Sequence, residues 1–165
     1  MALYKKRILI LQHSSTGVSA KLGRMARGHL EAAGHKVRVE AIRPRRPLPY
    51  LLNLIISFIP GVSLPTLELA AKLEDFDALL LIFPKWTFAH PLINDFIKNQ
   101  SRRLPPTALI VTCGGWDEDR YLEGYLRKLR EARVPLLGGE TFRRKSVDRG
   151  LATMILRLKL RRWFS

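Results

Sequence analysis

The chain has 165 residues, 29 of them Lys or Arg against 14 Asp or Glu, for a formal charge of +15. With 47% hydrophobic and 26% charged residues it has enough apolar mass for one domain with a full core, and it is neither disordered nor fibrous. A single cysteine, Cys113, excludes a disulfide framework and any zinc or iron–sulfur site built from several thiolates, while the charge asks for an acidic partner: nucleic acid, an anionic membrane surface or an acidic protein.

Met1 to Gln12 is basic and apolar, but Ile8–Leu11 is too short for the apolar region of a signal peptide and no small-residue cleavage site follows. Arg7–Gln12 reads as a strand, stopped by the polar cluster His13–Gly17. A helix is expected over Gly17–Ala33, with Val18, Leu22, Met25, Ala26, Leu30 and Ala33 at helical spacing and Gly34 just past its end. His35–Ile42 alternates like a strand.

Residues 43–65 have two unlike halves. Arg43, Arg45 and Arg46 are interleaved with prolines, and Leu48–Leu64 is strongly apolar. We expect an extra helix folded over the sheet edge; a lid, or an apolar foot for a membrane or partner, is the functional alternative. Asn53, Pro60 and Gly61 break this stretch well short of the roughly 20 residues a spanning helix needs, so a cytoplasmic protein, soluble or peripheral at the inner membrane surface, is expected.

Asp77–Phe83 is apolar on both faces, as a central parallel strand should be. Pro91 suits the first turn of a helix whose core stripe is Leu92, Ile93, Phe96 and Ile97. Another buried strand follows at Thr107–Thr112, then a charged helix over Asp119–Ala132 and a strand over Val134–Phe142. A basic last helix is expected over about 146–162, docking on the sheet through Val147, Leu151, Met154, Ile155 and Leu158. That leaves Leu156, Leu160 and Trp163 outside among Arg149, Arg157, Lys159, Arg161 and Arg162. Such an end suits an anionic membrane surface or a plain solvated basic face.

Five strands alternating with helices predict a single α/β domain over 1–165, a three-layer sandwich around a five-stranded parallel sheet. In such sheets ligands bind beyond the carboxyl ends of the strands, so the loops after Gln12, Phe83 and Thr112 are the places to look. The first, Ser14-Ser15-Thr16-Gly17-Val18-Ser19, sets four hydroxyls and a glycine at a helix start, an anion cradle built from backbone N–H groups and the helix dipole.

Ser14–Ser19 resembles the phosphate loop of the flavodoxin-like family, hydroxyl-any-Thr-Gly-any-hydroxyl. Phe83-Pro84-Lys85-Trp86-Thr87 is similar to the family's Pro-Thr-Trp turn, whose tryptophan covers one flavin face. Cys113-Gly114-Gly115-Trp116-Asp117, followed by Tyr121 and Tyr125, is similar to its Gly-Asp…Tyr…Tyr segment, whose first tyrosine covers the other face. The resemblance spans most of the chain with a gap at 43–65. It implies strand order 2-1-3-4-5 and an FMN site: Ser14, Ser15, Thr16, Gly17, Val18 and Ser19 at the phosphate, and Pro84, Lys85, Trp86, Thr87, Cys113, Gly114, Gly115, Trp116 and Tyr121 around the ring. Trp116 competes with Tyr121 for the second face.

Two features depart from the family. Its members are usually acidic, and Lys85 stands where they often carry a small hydroxyl residue. A cation there would favour the reduced, negatively charged flavin and raise its potential. Cys113 has no base beside it in sequence, the histidines lack metal-ligand spacing and no paired catalytic carboxylates occur, so no catalytic or metal residue is assigned. His90 is the one histidine in a site loop, where it could donate to the flavin or a substrate. No nucleic-acid motif accompanies the charge. The expected function is FMN-based electron transfer or NAD(P)H- or quinone-linked oxidoreduction, with a redox partner protein or NAD(P)H or quinone as the second reactant. The alternative is a flavin-free basic adaptor on an anionic membrane or acidic protein.

Overall fold

Three apolar runs decide the centre of the molecule. In a computed structural model, which describes residues 5–165, β1 (Arg7–Gln12), β3 (Ala78–Pro84) and β4 (Thr107–Cys113) lie side by side, buried along nearly their whole length. The two less apolar strands take the edges: β2 (Lys36–Ala41) beside β1, and β5 (Leu136–Arg143) beside β4. All pairings are parallel and the order is β2-β1-β3-β4-β5, with Ile8 opposite Val37 and Ala78, and Leu81 opposite Leu109.

Alternate strand residues face opposite layers. Ile8, Ile10, Leu80, Ile82, Ala108 and Ile110 pack against α1 (Val18–Ala32) and the C-terminal helix. Leu9, Leu11, Leu79, Leu81, Phe83, Leu109 and Val111 pack against two other helices, over Pro91–Gln100 and Glu118–Glu131. Every strand runs toward the same edge, which gathers the loops after β1, β3 and β4.

The segment after β2 is pinched at its base. Pro44 and Thr66 form an antiparallel bridge, and Arg45 N–H donates to Pro65 O at 2.8 Å. Between them lies α2 (Tyr50–Ile56), none of whose residues is buried. Ser57, fully buried at its end, anchors the segment to the loop after β3: its carbonyl accepts from Phe88 and Ala89 N–H at 3.1 Å, and its hydroxyl lies 3.0 Å from Thr87 Oγ1. With the extra helix counted, Pro91–Gln100 is α3 and Glu118–Glu131 is α4.

The last helix differs from the expectation in two respects. It is broken: α5 (Arg144–Asp148) stops short of Gly150, whose φ of +74° reverses the chain, and α6 (Ala152–Phe164) begins afresh. It is also rotated. Ala152, Leu156, Leu160, Trp163 and Phe164 are buried, while Leu151, Met154, Ile155 and Leu158, the stripe expected to dock, face solvent. The helix is apolar on two sides, and the side carrying both aromatic rings wins because it buries more surface. β5 makes the room, since a Cβ on Gly138 would stand 2.3 Å from Trp163 Nε1. Among the described residues no helix is long and apolar enough to cross a membrane, and no cluster of three side chains could hold a metal ion.

Candidate functional site

The turn from β1 into α1 is set by Gly17, whose φ of +84° is left-handed and therefore favours glycine. Gly17 N–H donates to Ser14 Oγ at 3.0 Å, closing the loop on itself. No side chain caps α1 and no acidic residue lies in its first turn, so the helix start keeps its positive potential. Ser15 and Thr16 are exposed beside it. Ser19 is turned inward, and its hydroxyl lies 2.9 Å from the buried Thr112 Oγ1, which ties α1 to the end of β4.

After β3, Lys85 N–H donates to Thr112 O at 2.7 Å and prolongs the sheet by one rung. Trp86 then lies flat on the fully buried His90, with centroids 4.4 Å apart and planes 23° from parallel. His13 meets both rings edge-on. From below, Trp86 N–H donates to the Tyr121 hydroxyl at 3.4 Å, and His90 N–H to the Tyr125 hydroxyl at 2.8 Å. Thr87 is engaged with Ser57.

After β4, Cys113 is buried and its thiol lies 3.7 Å from Phe142 O. Burial, then the Glu118 carboxylate, pushes that thiol above its ordinary range, so it is poorly nucleophilic. Gly114, Gly115 and Trp116 are exposed, and Gly115 has φ +107°. The Lys85 ammonium sits 4.5 Å from the Trp116 ring centroid and donates to its carbonyl. Beneath them, Arg143 and Glu118 pair at 2.8 Å. The Glu118 carboxyl is held below its usual range by a backbone hydrogen bond and by Arg143.

These three loops and α2 enclose a cleft of about 200 Å³. Ser15, Thr16 and Val18 line one end, Pro84, Lys85 and Trp86 a wall, and Cys113 and Gly114 the floor. The structure adds three residues that sequence reasoning missed: Thr112, Tyr50 and Arg144. Arg144 immediately follows β5, whose carboxyl end belongs to the same rim; a search extended to that fourth strand end would have found it. Tyr50 had no such signal, because tertiary contacts such as those of Ser57 bring α2 to the cleft. Lys85 and Arg144 are the charged groups in the lining and no carboxylate joins them, which favours an anion.

Of the other expected site residues, Ser14 and Gly17 shape the first loop and Gly115 and Trp116 stand at the rim. Ser19, Thr87 and Tyr121 point into the protein. Tyr121 is buried against Tyr125, at 5.2 Å between centroids, and burial raises its hydroxyl's pKa far above the ordinary range. Trp116 is thus the exposed aromatic of the loop after β4, packed against Lys85. His90 has no partner for either ring nitrogen, and burial, followed by the nearby His13, holds its pKa well below normal.

No protein-family model matches the chain. It is 32% identical over 110 residues to an uncharacterized protein of Archaeoglobus fulgidus, covering 67% of this chain and 68% of that one. Among solved structures it resembles a flavoprotein from Lactobacillus acidophilus in complex with FMN, with a TM-score of 0.64, 13% identity, and 87% of this chain and 97% of that one covered. It also resembles two-electron reduced flavodoxin from Megasphaera elsdenii, with a TM-score of 0.62, 13% identity, and 93% and 97% covered.

Proposed function

We propose that this chain, which has a flavodoxin-like fold, binds FMN in the cleft at the carboxyl edge of its sheet and performs flavin redox chemistry. The observation that carries this reading is one cleft that joins an uncapped helix start to a tryptophan with one face backed and the other turned outward. A phosphate dianion suits the start of α1, which no side chain caps and no carboxylate approaches, with Ser15 and Thr16 in the lining beside it. A flat ring suits the outer face of Trp86, since His90 already occupies the inner one. Gly114 leaves backbone groups open to a ring edge, with no side chain in the way.

The fit differs from the family pattern on the second face. Trp116, not the buried Tyr121, is available there, and it is held by Lys85. The cleft, at about 200 Å³, falls below the roughly 300–1,000 Å³ of enclosing small-molecule sites, so it would cover only part of such a ring. When bound, the flavin supplies the electron transfer. The protein anchors its phosphate, covers the ring with indole and places the Lys85 cation near it. An exposed edge suits a redox partner protein, NAD(P)H or a quinone as the second reactant.

The test is the visible absorption spectrum of the purified protein, followed by titration of the stripped protein with FMN. Flavin absorbance, or micromolar or tighter binding that Trp86→Ala weakens roughly tenfold, is the expected result. A colourless protein that ignores FMN overturns the reading.

A further inference from the structure

α6 presents to solvent the stripe that an amphipathic pattern would have buried. Leu151, Met154, Ile155 and Leu158 are 45–70% exposed, and their spacing of three and four residues puts them on one face. The opposite face is fully used by Leu156, Leu160, Trp163 and Phe164 against the sheet and α1. The exposed stripe is therefore surplus to the fold. Four large apolar side chains at successive turns exceed the scattered exposure normal for a surface.

The charges around the stripe say what covers it. No acidic residue occurs in α6, and Arg161 and Arg162 continue its exposed face one turn on, with Arg157 and Lys159 at the sides. Lys159 is paired with Glu140 at 2.7 Å, whereas Arg157, Arg161 and Arg162 have no carboxylate partner among the described residues. From Arg143 onward the chain has eight basic residues and one acidic. An apolar stripe edged by arginines that can reach past it is the pattern of a helix lying in the plane of an anionic bilayer, its apolar face about 5–10 Å into the headgroup boundary.

We propose that α6 docks this protein on an anionic membrane surface through Leu151, Met154, Ile155 and Leu158, with Arg157, Arg161 and Arg162 on lipid phosphates. α6 follows β5 back from the carboxyl edge, so its first turn lies near the edge that carries the cleft. Docking would hold that cleft close to the bilayer. The docking is independent of the flavin reading and is measured without flavin.

The experiment is co-sedimentation of the full chain with vesicles of phosphatidylglycerol and phosphatidylcholine in equal parts, against phosphatidylcholine alone. Binding to the anionic vesicles, weakened by salt, is expected. The double variant Met154→Glu with Leu158→Glu should lose binding by roughly tenfold or more. Arg161→Gln should lose about fivefold, the equivalent of about 1 kcal/mol for one basic residue at such a surface. Because both glutamates replace exposed groups, the fold should survive, as circular dichroism will report. Should it not, Met154→Cys carrying a polarity-sensitive fluorophore replaces that variant, and its emission should shift to the blue on anionic vesicles. Absence of vesicle binding, equal binding by the double variant, or an unshifted label on sedimented protein each overturns the proposal. So does a dimer in light scattering that the double variant dissolves while vesicles leave the wild type alone.

Discussion

Trp86 and His90 form a face-to-face pair, and the imidazole at its base is sealed from water with both ring nitrogens unpartnered. Buried polar atoms without partners cost about 1–3 kcal/mol each, and a fold tolerates that where the group has another use. Here the use is to back an indole. Phe83 meets His90 edge-on, His13 closes a third side, and Tyr125 accepts from the His90 backbone N–H. The outer face of Trp86 is thereby offered in a fixed plane.

Acid should expose that arrangement. A histidine whose folded pKa lies below its unfolded value of about 6.5 is neutral in both states above that pH. Below it the unfolded chain takes up a proton that the folded one refuses. Stability is therefore complete above about pH 6.5 and falls as the pH drops further, by up to about 1.4 kcal/mol per pH unit for each such histidine. His90 and His13 both shift downward, each chiefly through burial. Urea unfolding at about pH 7.5 and about pH 5.5 should show that loss, and His90→Leu should make it shallower. An unchanged slope in the variant would mean that His90 is not the group refusing the proton.

The sheet was legible in the sequence because its strands differ in burial. The continuous apolar runs of β3 and β4 can only be central, and the half-polar β2 and β5 can only be edges. Local pattern did not decide α6, where two apolar faces competed and a distant pocket chose between them: Gly138 opens space that only Trp163 fills. Within the candidate site, the turn that Gly17 makes was legible, because a left-handed φ favours glycine. It was illegible where a tertiary hydrogen bond reassigns a side chain. Ser19 and Thr112 pair at 2.9 Å across ninety-three positions of chain, and no local signal records that.

That hydroxyl pair separates structural from binding serines. Ser19→Ala leaves the Thr112 hydroxyl buried without its partner and should cost about 1–3 kcal/mol in urea unfolding. Adding Thr112→Val should recover part of it, because removing both partners is nearly neutral. Ser15→Ala and Thr16→Ala, at exposed positions, should change stability little and weaken FMN binding instead. If Ser19→Ala spared stability and reduced only FMN binding, its hydroxyl would belong to the phosphate site.

Two glycines with positive φ should respond unequally to alanine. At Gly17 nothing lies within 4 Å of an added Cβ, so only backbone strain remains, about 1–2 kcal/mol. At Gly138 the same atom collides with the Trp163 ring at 2.3 Å. Gly138→Ala should therefore be the more damaging change by at least about 2 kcal/mol, through overpacking as well as strain. Thermal unfolding monitored by tryptophan fluorescence would rank the two, and equal losses would show that α6 can shift to make room.

Lys85 gives the proposed flavin site its most specific electrostatic consequence. Its ammonium is held in place by the Trp116 carbonyl and ring, so it is a fixed charge at the cleft wall and not a wandering surface lysine. A positive charge stabilises a ring that gains electrons more than one that has not, and so raises the potential. Unit charges about 4 Å apart in a wet site interact by about 1 kcal/mol, which is roughly 20 mV on a two-electron couple. Lys85→Thr should therefore lower the potential of bound FMN by roughly 20 mV, and more if the cleft excludes water. The same variant frees Trp116, so FMN affinity should be measured alongside. A potential equal to that of the wild type, with affinity retained, would mean that the ammonium stays with Trp116 and away from the ring.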